Sequence, residues 1–170
     1  MRKVVVTGPE SSGKTSMAES LSVYFNDPLV HEYSRVYLNE LERNYRKEDL
    51  VEIAKGQLQL ENWALKDHEH LIICDTSLEV IKIWSEYKYD SCDPLIIDLL
   101  KKNLPDVYLL MKPDLPWEPD PLRENPYDRE YLYKLYLKEL ERLKVPYYEI
   151  KGAGEARFQK GESIVKKLLI

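Results

Sequence analysis

Cysteine is nearly missing from this chain. Its two copies, Cys74 and Cys92, are too few for a disulfide framework, and neither stands in a Cys/His spacing that would hold zinc. No apolar run reaches the roughly 18 residues that a membrane span requires, and no charged, apolar, small-residue leader opens the chain. These absences predict a soluble, cytoplasmic protein with no membrane partner. Nor is positive charge in excess: 25 Lys and Arg stand against 30 Asp and Glu, a net charge of -5, so no overall field recruits a phosphate polymer and no nucleic-acid partner is expected. Phenylalanine is scarce, with 2 residues against 13 Tyr, so the aromatic character lies in rings with a polar tip suited to a cleft or a partner.

What is present is an alternation of short β-branched runs with longer stretches at helical spacing. That pattern predicts an α/β fold, a five-stranded parallel sheet covered on both faces, within a single domain spanning 1–170. Strands are expected at 3–7, 29–32, 71–75, 107–111 and 147–150. Helices are expected from the first loop to about Phe25, then at 47–66, 78–87, 94–102, 128–143 and 158–169. Between them, Pro113, Pro116, Pro119, Pro121 and Pro126 sit among acidic residues and forbid a regular element. This stretch, about 112–129, reads as a surface loop able to serve as a lid.

The segment Gly8-Pro9-Glu10-Ser11-Ser12-Gly13-Lys14-Thr15 fits G-x-x-x-x-G-K-[ST], with an apolar strand before it and a helix after it. Phosphate oxygens need several donors converging from one side, and a loop closing onto a helix N-terminus turns successive backbone N–H groups inward. Residues 8–16, Ser16 included, are therefore assigned to ATP. Lys14 follows the β- and γ-phosphates, and the Thr15 hydroxyl is suited to Mg2+. Asp75 ends an apolar strand at the sheet edge where ligands gather, as a second magnesium-side oxygen or as a cap of the next helix. Met111-Lys112-Pro113-Asp114 only partly matches the guanine-reading N-K-x-D pattern, so adenine is expected.

Glu32, placed at the end of the second strand, is positioned to take a proton from an attacking hydroxyl; paired with Arg35, it is a surface ion pair instead. Arg123 and Arg129 are two cations on the proline-rich loop that could stabilise charge on a transferring phosphoryl group, or simply pair with their acidic neighbours. The readings are a kinase for a nucleoside or another small metabolite, or a non-enzymatic module whose loop ATP closes.

Over nearly its whole length the chain resembles the ribosylnicotinamide kinase domain of the NadR family. The likeness is carried by Gly-Pro-Glu-Ser-Ser-Gly-Lys-Thr at 8–15, Glu32-Tyr33-Ser34-Arg35, Ala54-Lys55-Gly56-Gln57, Ile73-Cys74-Asp75-Thr76, Trp117 to Arg123, and Lys144-Val145-Pro146-Tyr147. The resemblance implies a P-loop kinase core with a small lid that transfers the ATP γ-phosphate to the 5′-hydroxyl of nicotinamide riboside. It implies Glu32 as base or ribose ligand, Tyr33, Arg35 and Gln57 as pocket residues, and Trp63 as a ring stacked on the pyridinium. His31 stands where the family can carry Trp, and Pro121 where Gly is usual, which predicts a stiffer lid.

Overall fold

The computed structural model describes residues 2–68 and 70–170. In chain order its elements are β1 (Arg2–Thr7), α1 (Lys14–Phe25), β2 (Leu29–Val30), α2 (Tyr33–Glu40), α3 (Asp49–Asp67), β3 (Leu71–Asp75), α4 (Leu78–Tyr89), α5 (Pro94–Lys102), β4 (Val107–Met111), α6 (Arg129–Leu143), β5 (Tyr147–Ile150) and α7 (Glu155–Leu169). The five strands pair in parallel in the order β2-β3-β1-β4-β5. After β1 the chain builds one half of the sheet, then returns across β1 to build the other, so the switch point lies at the carboxyl end of β1. No helix among the described residues is long and apolar enough to cross a membrane.

Strand alternation divides the core between the two faces of the sheet. Val4, Val6, Ile73, Leu109 and Ile150 pack with Met17, Leu21 and Val165 of α1 and α7, while Val5, Ile72, Cys74, Tyr108 and Leu110 pack with Tyr133, Tyr136 and Leu140 of α6. A third cluster joins α3, α4 and α5 through Ile53, Leu58, Leu78, Ile81, Ile96 and Leu100. The fold is thus a three-layer α/β/α sandwich. α7 reaches its neighbours through Gly161, where a Cβ would stand 2.6 Å from Met17 Sδ.

Several boundaries differ from the sequence reading. β2 stops at Val30 instead of residue 32, because Glu32 is already the N-cap of α2, a helix that the pattern did not predict. α2 buries only Ser34, so it has little apolar periodicity to read. It is held by a long-range contact: the Tyr33 ring lies where a side chain on Gly56 would be. α3 starts at Asp49, whose carboxylate accepts the Arg46 N–H at 2.6 Å, and α7 starts at Glu155, three residues early, after Gly154.

Candidate active site

The loop from Gly8 to Gly13 leaves β1 at the switch point and enters α1. Gly8 has φ 137°, and a Cβ there would stand 2.6 Å from the Met111 carbonyl, so glycine alone lets the chain turn against β4. Residues 8–16 all line one cleft of about 900 Å³ together with Glu32, Arg35 and Arg123. Ser11, in the left-handed region at φ 51°, keeps the loop strained as functional loops often are.

Lys14, half-buried, donates to the Pro9 carbonyl at 2.9 Å. Burial lowers its pKa, and the nearby carboxylates of Glu32, Asp75 and Glu10 oppose that shift. A ligand carrying negative charge would complete what these carboxylates begin. Thr15 Oγ1 donates to Asp75 Oδ2 at 2.6 Å, while Asp75 Oδ1 is buried with no partner. A hydroxyl in contact with a carboxylate whose second oxygen is unsatisfied suits the donor set of Mg2+.

Glu32 is paired with Arg35 and at the same time lines the cleft. Its Oε1 accepts the Ser34 hydroxyl at 2.7 Å, and its Oε2 lies 3.5 Å from Arg35 Nε, yet the side chain faces the cleft. Arg35 also reaches Asp120 in the proline-rich segment at 3.1 Å. Gln57 is buried and does not line the cleft; its Oε1 accepts the Tyr33 N–H at 2.9 Å and so fixes the first turn of α2 beside Glu32. Tyr33 packs towards α3 in the same way, outside the cleft lining.

Trp63 is not brought to this site. It is 54% exposed and lines a separate shallow groove with Lys55, Leu58, Gln59 and Asn62. Ile53 and Gln57 share the buried face of α3, but each i+3 step from Gln57 falls about 60° short of a full turn, and two such steps carry Trp63 off that face. His31 is likewise exposed and outside the cleft.

The proline-rich segment closes over the phosphate loop. Glu10 accepts the backbone N–H groups of Glu124 at 3.1 Å and Asn125 at 2.9 Å, and Ser11 Oγ exchanges hydrogen bonds with Glu118 at 3.2 and 3.1 Å. Arg123 faces the cleft and donates to the Glu118 carbonyl. Arg129 does not line the cleft: it donates to the carbonyls of Leu115 at 2.9 Å and Ser11 at 3.3 Å, a tie between lid root and phosphate loop.

The end of the cleft bordered by α4 holds rings that the sequence reading passed over. Val80, Ile83, Trp84 and Tyr87 recur at i, i+3, i+4 and i+7 along α4 and line the cleft, with Tyr45 and Tyr136 beside them. That spacing was available in the sequence as a helical stripe; its destination was not. Trp84 Nε1 donates to Tyr45 Oη at 2.9 Å, and the two rings meet edge to face at 4.8 Å. Lys88 lies 4.0 Å above the Tyr45 ring and 3.1 Å from Glu124, joining the rings to the lid.

Known proteins resemble this chain over nearly its whole length. The model of the family described as "AAA domain" matches residues 3–157. The trifunctional NAD biosynthesis/regulator protein NadR of Salmonella typhimurium is 26% identical over 99% of the chain, which spans 43% of that relative. Among solved structures, NadR in complex with NR superposes with a TM-score of 0.82 at 17% identity, covering 99% of this chain and 51% of that one. Thymidylate kinase from Ehrlichia chaffeensis superposes with a TM-score of 0.69 at 15% identity, covering 99% and 98%. The chain thus spans about half the length of the NadR chains it matches, and its fold is that of P-loop kinases.

Proposed function

Since the chain belongs to the AAA domain family of P-loop proteins, we propose that it is an ATP-dependent kinase that phosphorylates the 5′-hydroxyl of nicotinamide riboside, yielding nicotinamide mononucleotide. The observation that carries this reading is the meeting of the residue 8–16 phosphate loop, Glu32 and an aromatic-lined compartment in one cleft. The similarity to NadR, one structure of which holds NR, supports the choice of acceptor. ATP is favoured over GTP because the Asp114 carboxylate is consumed, by Arg157 at 2.7 Å and by the Gly152 N–H at 2.7 Å, and is not free to read guanine.

Glu32 takes the proton of the attacking hydroxyl while Lys14 and Arg123 stabilise charge on the transferring group. Thr15 and Asp75 would hold Mg2+, which neutralises charge on the phosphate oxygens when bound. A nucleoside suits the acceptor end better than a nucleotide. Arg35 and Arg43 are both already paired there, with Glu32 and Asp120 and with Asp49, so neither cation is left for an acceptor phosphate.

A coupled ADP-release assay tests the assignment: nicotinamide riboside should raise ATP turnover above background. Failure with nicotinamide riboside but success with another nucleoside would remove this acceptor and keep the kinase. That second reading has its own support, since Trp63 and His31 lie outside the cleft and the rings inside it are Trp84, Tyr45, Tyr87 and Tyr136. Glu32→Gln should cut turnover by about 100-fold or more, the scale of general base catalysis, with ATP affinity retained. Unchanged turnover would remove Glu32 from the mechanism, and a binding module without transfer would show ATP-dependent lid closure alone.

A further inference from the structure

Arg157 lies in the first turn of α7, is 3% exposed, and does not line the cleft. Its place follows from Gly161, one turn later on the same helical face, whose bare backbone lets α7 close onto Met17 of α1. That approach turns the Arg157 guanidinium against the back of the phosphate loop. Nη2 donates to the Ser12 carbonyl at 2.6 Å and to the Lys112 carbonyl at 3.1 Å; Nη1 donates to Asp114 Oδ1 at 2.7 Å and to the Gly152 carbonyl at 2.5 Å. Loops leaving the carboxyl ends of β1, β4 and β5 therefore converge on one side chain. Asp114 completes the knot by accepting the Gly152 N–H. Burial works against its charge, but that amide and Arg157 hold its carboxyl below the usual range.

The Ser12 carbonyl and the Gly13 N–H belong to one trans peptide and point in opposite directions. With the carbonyl drawn backwards onto a cation, the N–H is turned towards the phosphate side and is polarised into a better donor. We infer that Arg157 is a positioning residue for the donor phosphates: it pins the Ser12–Gly13 peptide in its phosphate-binding orientation and locks the loops after β4 and β5 in the same register. This rests on the reading of residues 8–16 as a triphosphate site and is independent of the acceptor.

The test compares wild type with Arg157→Met, Arg157→Lys and Asp114→Asn, using calorimetric titration with ADP and with tripolyphosphate, which has no base, and steady-state kinetics. Arg157→Met should weaken both ligands by about tenfold or more, as expected for lost charge-assisted hydrogen bonds, and raise KM for ATP while kcat at saturating ATP holds. Arg157→Lys, which keeps the charge on a fitting stem, should recover part of the loss. Asp114→Asn loosens the knot but keeps the Ser12 contact, and should cost less tripolyphosphate affinity than Arg157→Met. The inference is overturned if folded Arg157→Met or Arg157→Lys protein binds both probes as tightly as wild type, or if kcat falls with KM unchanged. It is overturned equally if Asp114→Asn loses tripolyphosphate binding to the same extent. Failure of the wild type to bind either probe would instead overturn the phosphate-site reading itself.

Discussion

Glu79 stands in the first turn of α4, fully buried, with no hydrogen-bond partner on either carboxylate oxygen; Thr7 Oγ1 and Tyr108 Oη are buried without partners as well. Burial pushes its pKa up from 4.5 to about 7, with the Glu61 carboxylate reinforcing the shift and Lys3 opposing it. The folded state therefore holds this proton more tightly than the unfolded chain. Stability from this group is fully present below about pH 4.5 and is lost as pH rises to about 7, on the order of 3 kcal/mol in all. Urea midpoints should fall between pH 5 and pH 8, and Glu79→Gln should flatten that slope. Asp49 acts with the opposite sign: hydrogen bonds from Arg43 hold its carboxyl well below the usual range, so its contribution is lost towards acid.

Among the elements, the lid shows what spacing reveals and what it withholds. Its prolines ruled out regular structure, and the segment between β4 and α6 has none beyond turns. Its two arginines looked alike in the sequence, yet only Arg123 faces the cleft, because Arg129 sits at the start of α6 and is spent on backbone carbonyls. β3 and β4, buried along their full length, were legible as continuous apolar runs. α2 was not, since its place depends on Tyr33 meeting Gly56 and on Gln57 reaching back to the Tyr33 N–H, contacts between distant residues. The same holds for the cleft-lining residues of α4, whose stripe gave a helix face but not the cavity it borders. Glu10 ties the proline-rich segment to the phosphate loop by accepting two backbone N–H groups. Glu10→Gln weakens both bonds without adding bulk, and its acceptor-independent ATP hydrolysis should rise several-fold as water enters the cleft. Phosphate release without acceptor measures this, and an unchanged rate would show that the remaining ties suffice.

At the level of the whole molecule, the phosphate loop depends on how closely α1 and α7 share one face of the sheet. Gly161→Ala places a methyl 2.6 Å from Met17 Sδ. Because a Met side chain can yield, the cost should fall near the low end of the ~1–3 kcal/mol typical of overpacking, read as a lower urea midpoint. The sheet's two margins carry a different consequence. β2, one edge, is only two residues long, and at the other edge Lys160 donates to the Glu149 carbonyl of β5 at 2.6 Å. A short margin and a lysine-capped margin both leave few free backbone groups for a neighbouring chain to pair with, so strand addition, the usual route from an open parallel sheet to aggregation, is discouraged at both ends.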